Sequence, residues 1–247
     1  VFMEPQAIVP LNNRIKEIEI DIEKEIARLL KEISDYLFNH ISEFSRTKEA
    51  LLEVDMFLAK AQFANVTSAT PVSFSEDVVI LENLKHPLMV LSGEIVIPNN
   101  LNLNQKEKIL ILSGPNAGGK TVLLKSFGLA AHMARCGLPI CTSEGSQLPF
   151  FEEIFMAVGD TQSVDQSLST FAGHLKVLDR ACHAKGATSL VLIDEICGST
   201  DPDEGAALAR GFIHHYAYQG AFGLITSHLG PLKIGWEKDS GIVNGSM

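Results

Sequence analysis

The stretch ILILSGPNAGGKTVLLK, Ile109 to Lys125, leaves the chain few folds to choose from. An apolar run of strand length meets a glycine-rich turn, and an apolar, helix-compatible segment follows. The spacing predicts strand, loop and helix in that order, and the loop fits the phosphate-binding type. Gly114, Pro115, Asn116, Ala117, Gly118 and Gly119 form it, and Lys120, Thr121 and Val122 open the helix. Glycines let consecutive backbone N–H groups turn inward around phosphate oxygens, and the positive end of the helix adds to that field. Lys120 would reach the outer phosphates of a nucleotide, and the Thr121 hydroxyl would sit on Mg²⁺.

A second segment belongs beside such a loop. Ser189-Leu-Val-Leu-Ile-Asp194-Glu195 reads as a buried parallel strand that delivers two acids at its C-terminal end. Asp194 then serves Mg²⁺, usually through water, and Glu195 polarises the attacking water. Phe222 to Thr226 is a further apolar strand, with Ser227-His228 at its end. Ligands of an open parallel sheet bind at the carboxyl ends of its strands, which puts His228 on the same edge as the loop, facing a γ-phosphate. The polar run Ser163 to Phe171 opens another helix. Ser169 or Thr170 can cap it, or Ser169 and the free N–H groups can meet a γ-phosphate presented by a second subunit; both readings stand. Asp201, Pro202 and Glu204 have the order of N-cap, first position and capping box of one more helix.

The rest of the chain sets limits. With 247 residues and 46% hydrophobic content there is material for one large core and an appendage. A formal net charge of −10 excludes an overall basic field for a nucleic-acid backbone. The cysteines Cys136, Cys141, Cys182 and Cys197 form no CxxC pair and suit reduced core positions in a cytoplasmic protein. No apolar run has membrane-spanning length, so no membrane partner is expected. Apolar residues recur at helical spacing from Arg14 to Phe44, predicting one long amphipathic helix, with a second over Lys48 to Ala64; the two could pair antiparallel or work as a lever. The Thr, Ser, Ala and Pro content of 65–72 places a boundary there, giving a helical segment 1–66 and a nucleotide domain 67–247. Short strands are expected at Val78–Leu81 and Glu94–Ile97. His86 between them reads as a satisfied loop histidine, or as a residue approaching the base. Val1 at the start, and Met247 just after the strand onset at Gly241, suggest a piece of something longer.

With these residues in order the chain resembles the ATPase core of the MutS family, an α/β P-loop NTPase of the ABC-ATPase type with a mainly parallel sheet flanked by helices. GPNAGGKT at 114–121, LSTF at 168–171, LVLIDE at 190–195, GSTDPDEGAALA at 198–209 and TSH at 226–228 carry the likeness. VFMEP at the start, LNN at 11–13 and SVDQSLSTFAGH at 163–174 are similar to the bacterial type 2 branch in particular. The resemblance implies a Mg²⁺-dependent ATPase whose bound ATP sits in composite sites of a homodimer. Asn116 would orient the γ-phosphate or water, His228 would be the switch histidine, and Ser169 the signature serine acting in trans. It also implies that residues 1–66 are the lever joining the ATPase to a DNA clamp, with branched DNA, recombination suppression or ribosome rescue as the work of the whole protein. Clamp and Smr nuclease domain are missing from this chain, so DNA or ribosome contact would come through missing domains, and nuclease activity is not expected. Two rivals remain. An SMC or ABC ATPase should carry an LSGGQ-type signature where this chain has SLSTF, and a nucleotide-dependent dimerisation module would bind without turnover.

Overall fold

The computed structural model describes residues 5–115, 118–158, 167–198, 200–237 and 239–246, with the backbone alone at 167–172. Two compact units divide it, Val1–Ala59 and Lys60–Met247.

The first unit is helical. α1 (Val9–Asn39) and α2 (Ile41–Thr67, continuing into the second unit) replace the expected helix over Arg14–Phe44 and its successor. The break falls at His40, whose N–H bonds to the carbonyls of Leu37 and Phe38. One intervening residue is too short a link to reverse direction, so the antiparallel pair does not form. α1 has no buried residue; Ile15, Ile18, Ile22, Leu29, Ile33 and Leu37 lie exposed along it. Its own surface supplies local ion pairs instead, with Arg28 reaching Glu25 at one turn and Glu32 at the next.

The second unit holds two sheets. Five parallel strands run in the order β6 (Glu153–Ala157), β7 (Ser189–Ile193), β8 (Phe222–Thr226), β4 (Ile109–Ser113), β9 (Ile242–Ser246). Four more strands form a mixed sheet, β1 (Ser73–Ser75), β5 (Gln147–Pro149), β2 (Val79–Leu84), β3 (Asn99–Leu103). Side-chain alternation splits the parallel sheet into two faces. Leu112, Leu190, Leu192, Phe222 and Leu224 share a core with α4 (Lys120–Arg135) through Leu124, Phe127 and Ala131, and the residues of the mixed sheet join them. Ile109, Ile111, Val191, Ile193 and Ile225 form a second core with α5 (Ser167–Ala181) and α6 (Pro202–Gln219). β7 and β8 are buried along their whole length, which is why they read as unbroken apolar runs.

One strand expectation changes. Glu94–Ile97 is not a strand: it leads away from α3 (Pro87–Leu91), with Ile95 97% and Ile97 79% exposed. Its β-branched side chains have no surface to bury against, and the chain pairs instead at Asn99–Leu103, where Leu101 and Leu103 point into the core. His86 precedes α3 without capping it, and its Nδ1 is buried with no partner among the described residues, so it is not the satisfied loop histidine expected. All four cysteines are free. Among the described residues no helix is long and apolar enough to cross a membrane.

Candidate nucleotide site

Strand order builds the site. β8 lies between β4 and β7, so the ends of the three strands stand side by side, with Leu112 opposite Thr226 and Ile193 opposite Ile225. The loop after β4 returns into α4 through Gly119, whose φ of +86° is left-handed backbone that glycine adopts without a Cβ clash. Lys120 follows, almost wholly buried. Its Nζ donates to the carbonyl oxygens of Gly114 at 2.5 Å and Pro115 at 2.9 Å, so the ammonium is curled under the loop it would use to grip a phosphate. Asn116 and Ala117 lie outside the described residues, as does the side chain of Ser169. Among the described residues α5 is already helical at Ser167, which puts Ser169 and Thr170 inside the helix rather than at its cap. Val122 is on the exposed rim of α4.

The two acids come next. After Ile193 the alternation turns Asp194 to the α4 side, where Thr121 Oγ1 donates to Asp194 Oδ2 at 2.7 Å. The Asp194 N–H bonds to the Ala157 carbonyl of β6 at 2.9 Å, anchoring the strand end. Glu195 then takes φ +51° and Cys197 φ +53°. Two left-handed non-glycine residues so close together are backbone strain of the kind found where geometry is held for a task. Burial pushes the Cys197 thiol up to about 11, which keeps it protonated and unreactive at neutral pH. Asp201 caps α6 as expected, its Oδ1 accepting from the N–H groups of Asp203 and Glu204.

His228 stands exposed at the end of β8, its ring against Gly198. The N–H of Ser227 bonds to Leu112 O at 3.0 Å and ties that end to the phosphate-loop strand. Two residues were missed from sequence. Thr226 is fully buried, its hydroxyl accepts the Glu195 N–H at 2.8 Å and donates to Asp194 Oδ1 at 2.6 Å; a buried polar residue closing an apolar strand was the available signal. His174, on α5 one turn before Leu178, has a buried Nε2 with no partner among the described residues. Burial holds its imidazole below the ordinary range, with the charge of Asp194 working the other way.

The donor set fits Mg²⁺. Thr121 hydroxyl and Asp194 carboxylate are hard oxygens in one place, and among the described residues no cluster of three or more His, Cys, Asp or Glu forms an all-protein cage. Mg²⁺ takes a few protein oxygens and fills its octahedron with water and phosphate.

Fold and site together define an α/β domain of the P-loop ATPase type: a parallel sheet with a glycine-rich loop leading into α4 and an adjoining Asp-Glu pair at its carboxyl edge. The family described as MutS domain V matches residues 110–247, and the chain belongs to that family. Its relatives agree. The protein named Endonuclease MutS2 from Gemmatimonas aurantiaca is 40% identical over 250 residues, covering 100% of this chain and 30% of that protein. The protein of the same name from Aquifex aeolicus is 38% identical over 233 residues, 94% of this chain and 30% of its own length. That from Thermotoga maritima is 36% identical over 247 residues, 100% and 32% respectively. The chain carries a MutS-family domain similar to part of the MutS2 proteins, and spans about a third of the length of these curated relatives.

Proposed function

We propose that the chain binds ATP with Mg²⁺ and hydrolyses it by in-line attack of water on the γ-phosphorus. The observation that carries the reading is the meeting of Thr121 and Asp194 at 2.7 Å, with Glu195 the next residue along, at the strand ends beside the phosphate loop. Lys120 leaves the loop carbonyls for the β- and γ-phosphates, and Gly114 to Val122 wrap them with backbone N–H groups. Thr121 and Asp194 hold Mg²⁺, whose contribution when bound is to neutralise phosphate charge. Glu195 orients the water and takes its proton as the oxygen bonds to phosphorus and the bond to ADP breaks. Asn116 and His228 orient the transferred group. Catalysis is then mostly positioning and charge neutralisation.

Ser169 of a second copy completes each site, making a homodimer with composite ATP sites. Residues 1–66 act as a lever and 67–247 as the ATPase. In the whole cytoplasmic protein the nucleotide state sets the grip of a clamp on branched or double-stranded DNA, or on the ribosome, through domains beyond this chain. The relatives are named endonucleases, a property of those longer proteins; the hydrolysis proposed for this chain is that of ATP.

Steady-state ATP hydrolysis against protein concentration, with Glu195→Gln as the blank, tests the reading. Loss of the carboxylate should leave nucleotide binding intact and lower turnover by about a hundredfold or more, the scale of general-base catalysis. Specific activity that rises with concentration supports the composite site. Retained hydrolysis in Glu195→Gln removes Glu195 from its role, and wild-type activity no higher than the blank leaves a nucleotide-dependent dimerisation module in place of an ATPase.

A further inference from the structure

A hydroxyl has one proton to donate, and at Thr226 its direction is forced. A peptide N–H can only donate and a carboxylate only accept. Thr226 Oγ1 takes the Glu195 N–H at 2.8 Å, so its own proton goes to Asp194 Oδ1, 2.6 Å away. The same residue's carbonyl accepts the Ile196 N–H at 3.1 Å. Thr226 therefore holds the peptide groups on both sides of Glu195, while its hydroxyl holds the neighbouring carboxylate.

We infer that Thr226 is a positioning residue that locks Asp194 and Glu195 into one rigid unit, metal-facing carboxylate and water-activating carboxylate together. The inference rests on the ATPase reading above. Asp194 has two oxygens, and each is tied to a different element: Oδ2 to Thr121 on α4 and Oδ1 to Thr226 on β8. Rotating that carboxylate breaks a bond at one end or the other, so its remaining lone pairs stay aimed at the site. Glu195 has φ +51°, a conformation that a side-chain-bearing residue keeps only where its surroundings over-determine it. The bonds from Thr226 supply that constraint, along with the one from the Gly198 N–H to the Glu195 carbonyl at 3.0 Å. β8 ends at Thr226, His228 stands two residues further on, and Ser227 between them is pinned to Leu112 of β4. One strand end thus sets the distance between metal ligand, water-activating acid and γ-phosphate histidine. Valine has the same shape but would leave a buried N–H and a carboxylate oxygen without their partner; serine keeps the hydroxyl.

The test compares wild type, Thr226→Val, Thr226→Ala and Thr226→Ser in the 247-residue chain, each checked for folding by circular dichroism. Three quantities are read: affinity for a fluorescent ATP analogue in EDTA, the Mn²⁺ concentration that half-saturates the nucleotide-bound protein by electron paramagnetic resonance, and kcat. Metal-free nucleotide affinity should stay within about twofold in every variant, because Lys120 and its loop are untouched. In Thr226→Val and Thr226→Ala half-saturating Mn²⁺ should rise about tenfold, the scale of losing a partner behind a metal ligand. kcat should fall about a hundredfold with the loss of geometry. Thr226→Ser should return both to within about threefold of wild type. Wild-type metal affinity and kcat in the valine or alanine protein overturn the inference, as does failure of serine to rescue. If valine does not fold, alanine and serine decide. If the wild-type chain does not turn over ATP, the ATPase reading fails by itself, and the Mn²⁺ titration still decides whether Thr226 holds Asp194.

Discussion

The imidazole of His228 lies so close to Gly198 that a β-carbon there would stand 2.8 Å from its Cε1 and 3.3 Å from the Glu195 carbonyl oxygen. A side chain at this position and the observed ring cannot coexist. Because His228 is exposed, the ring can swing aside, so the cost falls on geometry more than on folding. Gly198→Ala should lower kcat about tenfold or more, the penalty of misplacing one reacting group, while nucleotide affinity changes by no more than about twofold. Steady-state kinetics beside a nucleotide titration checks the split. An unchanged kcat would mean that the His228 ring position is irrelevant to turnover.

How far the chemistry could be read from sequence depends on what is local. That the glycine-rich loop follows β4, the acids follow β7 and the histidine follows β8 was legible because each stands just past the end of an apolar strand. The link between them was not. Thr226 meets Asp194 only because β8 inserts between β4 and β7, and strand order is a long-range outcome that no local pattern encodes. Asn99–Leu103 escaped notice because asparagine signals turns, although its alternate leucines fill the core. Glu94–Ile97 misled in the other direction, by offering β-branched residues without a surface to cover. At His40 no proline or glycine announces the break between α1 and α2, and the helical spacing of apolar residues carried the predicted helix straight through it.

Tyr216 joins the two helices that cover the second core. It is fully buried on α6, and its hydroxyl donates to the Leu178 carbonyl of α5 at 2.9 Å. Burial pushes its phenol far above the ordinary range, so it remains a donor throughout the accessible pH range. Tyr216→Phe keeps the ring and removes the donor, leaving the Leu178 carbonyl with the Cys182 N–H at 3.2 Å as its remaining partner. The expected loss is about 1–2 kcal/mol of unfolding free energy, measured by urea denaturation with an unchanged m-value. No loss would show that water replaces the hydroxyl.

The His86 imidazole is held below its ordinary value of 6.5, first by burial and then by the positive charge of Lys125. As pH falls through that value the unfolded chain takes up the proton before the folded one does. The contribution to stability is therefore full above about pH 6.5 and is lost as pH drops below it. His174 acts in the same sense through its own burial. Urea midpoints taken at pH 7.5 and 5.5 should fall for wild type, and His86→Phe should reduce that fall by about a few tenths molar. Equal falls in the two proteins would place the acid sensitivity elsewhere.

Beyond His228 one side chain of α6 binds three backbone carbonyls of the following segment. Arg210 Nη1 donates to the carbonyls of Pro231 at 3.0 Å and Ile234 at 3.1 Å, and Nη2 donates to that of Gly235 at 2.6 Å. Its guanidinium carbon lies 4.4 Å from the ring centre of Trp236, whose indole N–H in turn bonds to Leu232 O at 2.8 Å. A planar fork with several donors can meet three carbonyls while stacking on a ring; an ammonium offers a point charge without that plane. Trp236 is the chain's single tryptophan, so its emission reports this contact without a label. Arg210→Ala should shift that emission to the red as the ring gains water, and should cost about 1–3 kcal/mol of stability from the lost hydrogen bonds and cation–π contact. Arg210→Lys should recover only part of either. Full recovery by lysine would mean that charge alone, and not the shape of the guanidinium, holds the segment that follows His228.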